Sequence, residues 1–155
     1  MEYAGGGELS DMVKELGGLT EIETRNIIIQ VALAMQVCHN KGVIHRDLKL
    51  ENVLFDSPAR NKIKVVDFGI AGIVTSVQSD KNTAATLKYM TPEMIAQSNS
   101  VASPAMDVWA IGIMTYCMLF NRLPFSSPNK DEIKSMILTQ PYRLSKSKPV
   151  TAACQ

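Results

Sequence analysis

From residue 45 the chain reads His45, Arg46, Asp47, Leu48, Lys49, Leu50, Glu51, Asn52, and fifteen residues after Asn52 come Asp67, Phe68 and Gly69. The apolar pairs Val43, Ile44 and Val53, Leu54 flank the first run. They would anchor both of its ends in the core, and a charged loop pinned in this way is a candidate site. Its residue types suit work on a charged group: carboxylates and an amide oxygen can hold a hard cation, and a lysine can neutralise an anion. Taken singly, an Asp or Lys in a loop is solvated surface; the combination at fixed offsets carries the signal. A second cluster, Cys38 with His39, has no other pair to complete a tetrahedral metal site and reads as a helix end.

Together the two runs resemble the catalytic loop and the DFG segment of eukaryotic-type serine/threonine protein kinases. Phosphoryl transfer of the kind this family performs is mostly a matter of positioning and of spreading negative charge. The resemblance implies that Asp47 accepts the proton of the substrate hydroxyl and that Lys49 neutralises the phosphoryl group in flight. It implies Asn52 and Asp67 as magnesium ligands, with ATP as the phosphoryl donor. His45, Arg46, Phe68 and Gly69 belong to the same motifs in structural or regulatory roles. Lys49 favours serine/threonine over tyrosine specificity, because tyrosine kinase loops generally have Ala or Arg there.

More of the chain is similar to the same family. Residues 1–8 look like the hinge between two lobes, with Met1 behind the adenine, backbone groups of Glu2 and Ala4 facing the base, and Glu8 and Val66 beside the nucleotide. Leu54 would form the floor beneath the adenine, a role compatible with plain strand core. The segment TLKYMTPEM resembles the end of an activation segment, in which Thr86 would touch Asp47 and Lys49. Asp107, Trp109 and Gly112 match a DxWxxG helix whose aspartate would bond the catalytic-loop backbone; otherwise Asp107 is a first-turn acid suited to the helix dipole. Arg46 marks kinases whose activation segment is ordered by phosphorylation, and Thr83 stands near the expected place, with Ser79 and Thr86 as neighbours. Glu8 and Glu51 match acids that meet upstream arginines in basophilic kinases; as plain surface they are solvated acids.

The match has departures. Ala85 replaces a usual glycine, and Thr91 replaces the Ala of APE, whose glutamate is Glu93. By resemblance the chain holds the hinge (1–8) and most of a large lobe (9–155), without the Gly-rich loop, the strand lysine, its partner glutamate or the last helices. Glu93 would then be a carboxylate placed for burial without its arginine, at a cost of several kcal/mol. The long helix would show an apolar patch around Trp109. The rival reading is a non-catalytic kinase lobe that binds a partner as a decoy, or a fragmentary gene product. GGEL with HRDLKLEN looks most like the calcium/calmodulin-dependent and related basophilic groups.

The elements that would position these residues follow from periodicity. Leu9, Met12, Val13 and Leu16 predict a short amphipathic helix, with Ser10 a possible cap and Gly17 and Gly18 the stop. Thr20 and Glu23 form a capping box for a second helix through Cys38. Apolar residues cover most of its circumference, which predicts deep burial. Val53 to Phe55 and Ile63 to Val66 predict a hairpin around Asp56, Ser57 and Pro58. Residues 73–86 lack periodicity and read as a mobile surface segment. Pro92 opens a short helix, Ser103 and Pro104 open a long apolar one ending near Asn121, and Asn129 with Glu132 opens a last one that Pro141 stops. The resemblance implies the protein kinase-like α+β fold class, and these elements agree with it: mainly α, with short hairpins near the loop.

Composition bounds the partners. A net charge of +1 gives no field to steer nucleic acid or an anionic membrane. The stretch 108–120 is too short to span a bilayer. Three unpaired-looking cysteines, Cys38, Cys117 and Cys154, suit a reducing, intracellular and cytoplasmic setting, and the N-terminus does not read as a targeting peptide. The expected partner is a protein substrate with Ser or Thr, basic upstream; the expected cofactors are ATP and Mg2+.

Overall fold

In the computed structural model of this chain, residues 4–68, 72–73, 86–96, 102–140 and 151 are described. The helices are α1 (Leu9–Leu16), α2 (Glu21–Asn40), α3 (Pro92–Ala96), α4 (Pro104–Phe120) and α5 (Lys130–Thr139). The strands are β1 (Val43–Ile44), β2 (Val53–Phe55), β3 (Ile63–Val65) and β4 (Gly72–Ile73). Two antiparallel pairs form, β2 with β3 and β1 with β4. The core joins Leu9, Val31, Met35, Leu48, Val53, Phe55, Met114 and Met118, so α1, α2 and α4 close around the segment that carries residues 45–52. No helix among the described residues is long and apolar enough to cross a membrane.

Several helix ends follow local chemistry. Thr20 Oγ1 accepts the Glu23 amide at 3.2 Å while the Glu23 carboxylate accepts the Thr20 amide at 2.8 Å, the reciprocal capping box read in the sequence. Gly17, in left-handed geometry with φ 66°, ends α1. Asn129 caps α5 through the Asp131 amide at 2.9 Å.

Other expectations are corrected. Glu8, not Ser10, occupies the cap position of α1, and Ser10 lies inside the helix, its hydroxyl donating to the Glu8 carboxylate at 2.8 Å. Ser103 makes no side-chain cap bond, so Pro104 alone pre-sets the first turn of α4. The helix α2 is not buried all round. Thr24, Ile27, Val31 and Met35 face the core, while Ile22, Ile29, Leu33 and Val37 are exposed. Its neighbours cover one side only, which an apolar pattern on every face cannot reveal. Glu93 is exposed, so the burial penalty expected for it does not arise. Thr91 Oγ1 accepts the Met94 amide at 3.3 Å and starts α3. Around Trp109 the expected apolar surface is present: Val108 is 62% exposed, and a groove there is lined by Tyr116, Leu119 and Phe125. Gly72 and Ile73 form β4; the rest of 73–86 up to residue 85 lies outside the described residues, as does Pro141.

Residues 5–8 run beside β2. Gly5 and Gly6 amides donate to the Asp56 and Phe55 carbonyls at 3.1 and 3.0 Å, and the Phe55 amide donates to Gly7 at 2.9 Å. A Cβ on Gly6 would lie 2.3 Å from the Ser57 carbonyl oxygen and 2.5 Å from Phe55 Cβ, a backbone clash that cannot be relieved by a rotamer. Gly6→Ala is therefore expected to lower stability by about 2 kcal/mol through forced separation of this edge. Gly112→Ala, where a Cβ meets nothing within 4 Å, should be neutral or slightly stabilising. Urea midpoints of the two variants give the comparison, and equal midpoints would contradict the packing argument.

At the hairpin, the Lys64 ammonium hydrogen-bonds the Asp56 carboxylate and holds its pKa below the usual carboxylate range. A depressed pKa means stability present above the unfolded-state value and lost as pH falls through the folded one. The Asp56 carboxyl resonance should accordingly titrate lower in the wild type than in Lys64→Met; coincident NMR titrations would exclude the pairing.

Candidate functional site

The loop from residue 45 to residue 52 follows β1 and ends in a 3-10 turn, Leu50–Asn52, that leads straight into β2. Leu48 and Leu50 are buried and pin it from below. Its backbone is gripped from α4: Asp107, 1% exposed, accepts the His45 amide at Oδ2 and the Arg46 amide at Oδ1, both at 3.0 Å. The same Oδ2 lies 2.7 Å from His39 Nε2 on α2. The end of α2, the start of the loop and the distant α4 thus meet on one carboxylate.

His45, fully buried, links the loop to the chain that follows β3. Its Nδ1 lies 3.3 Å from the Asp47 amide, which donates to it, so Nε2 carries the proton and donates to the Val66 carbonyl at 3.0 Å. The Val66 amide donates to the Asn52 carbonyl at 2.9 Å. Asp67 therefore follows directly on a residue tied twice to the loop. The Phe68 ring lies 4.5 Å from the His45 ring, centroid to centroid.

Within the loop the predicted side chains converge. Lys49 Nζ lies 2.6 Å from Asp47 Oδ2. Asn52 Nδ2 donates to the Asp47 carbonyl at 2.8 Å and reaches Oδ2 at 3.3 Å. Asp47 is thus a largely buried carboxylate, 14% exposed, with a cation and an amide fixed on it. Arg46 and Asp67 both have positive φ, 71° and 64°. For non-glycine residues this costs energy and persists only where surrounding bonds impose it, a pattern concentrated at functional sites. No feature of the sequence announced it.

The remaining candidates are placed as follows. Leu54, half-buried on β2, is bridged to Glu8, and Ala4 lies half-buried just before the edge that Gly5 and Gly6 form. Glu8 and Glu51 are exposed acids. Glu51 lines a groove with Lys88, Tyr89, Cys117 and Arg122. Burial pushes the Cys117 thiol up to about 12 and raises the Tyr89 phenol as well, so both stay neutral in that groove at ordinary pH. Met1, Glu2, Gly69, Thr83 and Ala85 lie outside the described residues, as does the side chain of Thr86. No group of three metal-ligating His, Cys, Asp or Glu occurs among the described residues. Sequence reasoning missed His39, whose only signal was its place at the end of α2; its partner stands 68 residues away.

A family described as the protein kinase domain matches residues 1–153. Similar curated proteins include a probable serine/threonine-protein kinase MARK-A of Dictyostelium discoideum, 35% identical over 93% of this chain and 13% of its own length. The SNF1-related protein kinase catalytic subunit alpha KIN12 of Arabidopsis thaliana is 37% identical over 94% of the chain and 29% of its own length. NUAK family SNF1-like kinase 1 of Mus musculus is 34% identical over 92% and 21%. The chain spans less than a third of the length of each of these relatives.

Proposed function

We propose, because the chain belongs to the protein kinase domain family, that its loop serves transfer of the γ-phosphoryl group of ATP to a serine or threonine hydroxyl of a protein. The observation that carries this reading is the Asp47 carboxylate, held by Lys49 at 2.6 Å and reached by Asn52 Nδ2 at 3.3 Å, on a loop whose backbone is clamped by Asp107. A carboxylate fixed in this way can orient the attacking hydroxyl and take its proton, while the lysine beside it offsets charge on the moving phosphoryl group. Lys49 would then exchange its present partner for substrate oxygens.

The donors suit magnesium. Because Asn52 spends its Nδ2 on the Asp47 carbonyl, its amide oxygen is the group turned to other use, and Asp67 adds an exposed carboxylate. Two hard oxygen donors from the protein are what Mg2+ commonly takes, with phosphate oxygens and water for the rest. Held by Asn52 and Asp67, the ion would offset the negative charge of the phosphates. In this reading residues 1–8 are the hinge and 9–155 the large lobe; Leu54, Ala4 and Glu8 sit along the edge where the adenine would lie. Glu8 and Glu51 would meet basic residues upstream of the target hydroxyl, and a phosphate on Thr83 would pair with Arg46.

The test is transfer of labelled γ-phosphate from MgATP by the purified chain to three peptides: a serine peptide with upstream arginines, its arginine-free form and a tyrosine form. Magnesium-dependent labelling of the first peptide alone is the expected result. Binding of MgATP without transfer to any peptide would favour the rival reading, a lobe that engages partners without catalysis.

A further inference from the structure

The groove that includes Glu51, the residue before Asn52 in the loop, has a volume of about 490 Å3 and also takes in Tyr89, Cys117 and Arg122. A space of this size beside the loop can receive side chains of a bound segment. Its charges are unequal. Lys88 and Arg122 line it against one acid, Glu51, while the charge of Lys14 on α1 is offset by Asp11 at 3.5 Å. The other ionisable groups add none, because burial pushes the Cys117 thiol up to about 12 and raises the Tyr89 phenol likewise. Glu51 and Lys88 both lie close enough to Cys117 to act on it, with opposite sign, so the charges converge on one place. Among the described residues, however, none of Glu51, Lys88 and Arg122 has an ion-pair partner. Two cations therefore stand beside the loop with their charge unanswered.

We propose, on the basis of the transferase reading above, that this groove selects protein substrates with a carboxylate side chain, Asp or Glu, close to the basic residue that Glu51 would meet. Lys88 and Arg122 hold that carboxylate between them, and the preferred segment is of mixed charge rather than uniformly basic. A segment with arginines alone would bring like charge against both cations, which costs affinity and turns such a partner away. The two residues are not equal. Lys88 is half-buried and Arg122 exposed, so water and salt screen Arg122 more and Lys88 is the stronger determinant.

Fluorescence anisotropy with labelled peptides, alanine in place of the target serine, measures binding to the full chain apart from transfer. Each peptide carries one upstream arginine, and a glutamate is placed in turn at every other upstream position. At its best position glutamate should bind about fivefold tighter than glutamine, with an advantage that shrinks as salt rises. Lys88→Glu should reverse the preference, so that lysine outbinds glutamate at that position, and Arg122→Glu, at an exposed site, should weaken it. Far-UV circular dichroism checks that both variants fold. Glutamate without advantage at any position, or an advantage that survives both charge reversals, would overturn the proposal. The preference intact, but with no phosphate transferred to the serine forms of the same peptides, would strike the transferase reading and leave the groove's choice of charge standing.

Discussion

Under the proposed function, Asp47→Asn is expected to lower the turnover of phosphoryl transfer by about a thousandfold while leaving the fold and the affinity for MgATP nearly unchanged. The substitution preserves shape and the main-chain bond from Asn52 to the Asp47 carbonyl. It removes the anionic oxygen that Lys49 now holds at 2.6 Å. Loss of a positioned proton acceptor typically costs 10²- to 10⁴-fold. In the proposed function the group would act on the hydroxyl rather than on the nucleotide, so the loss should appear in kcat and not in KM for ATP. Lys49→Met should lower kcat by a smaller factor. Steady-state kinetics on a peptide substrate, with circular dichroism as a folding control, decide the matter. An Asp47→Asn variant within tenfold of the wild type would remove Asp47 from the chemistry, whatever its resemblance.

The second large effect concerns stability. Asp107→Ala deletes an acceptor that serves three donors at once: the amides of His45 and Arg46 and Nε2 of His39. Removing one member of a buried, hydrogen-bonded charge cluster leaves the others desolvated and unpaired, and costs about 3–5 kcal/mol. The urea midpoint should fall accordingly, and the loop from residue 45 to residue 48 should lose hydrogen-exchange protection before the rest of the core. His39→Ala removes one of the three donors and should cost about 1 kcal/mol. In a double-mutant cycle the two losses should not add, because the His39 contact is already gone when Asp107 is replaced. A loss below 1 kcal/mol for Asp107→Ala would mean that the loop is held by its buried leucines alone.

Both predictions rest on residues that could be picked out early, yet for different reasons. Asp47, Lys49, Asn52 and Asp67 were picked out as a set because the two runs that carry them resemble protein kinase motifs. The helix boundaries set by Thr20, Glu23, Gly17 and Pro104 were legible because caps and stops act within four residues. The β2–β3 hairpin was visible for the same reason, as two short apolar runs around Asp56 and Pro58.

What the tertiary structure alone decided depends on segments distant in the chain. The pairing of β1 with β4 is two residues long and carries no periodic signal. His39 looked like an ordinary helix terminus until the fold brought Asp107 to it across 68 residues. The positive φ of Arg46 and Asp67 exists because bonds from Asp107, Asn52 and His45 hold the backbone around them. The apolar residues of α2 told that it is a helix, but not which face meets a neighbour. Local interactions are written into nearby residues, whereas burial and long-range bonds depend on which surfaces the whole chain brings together.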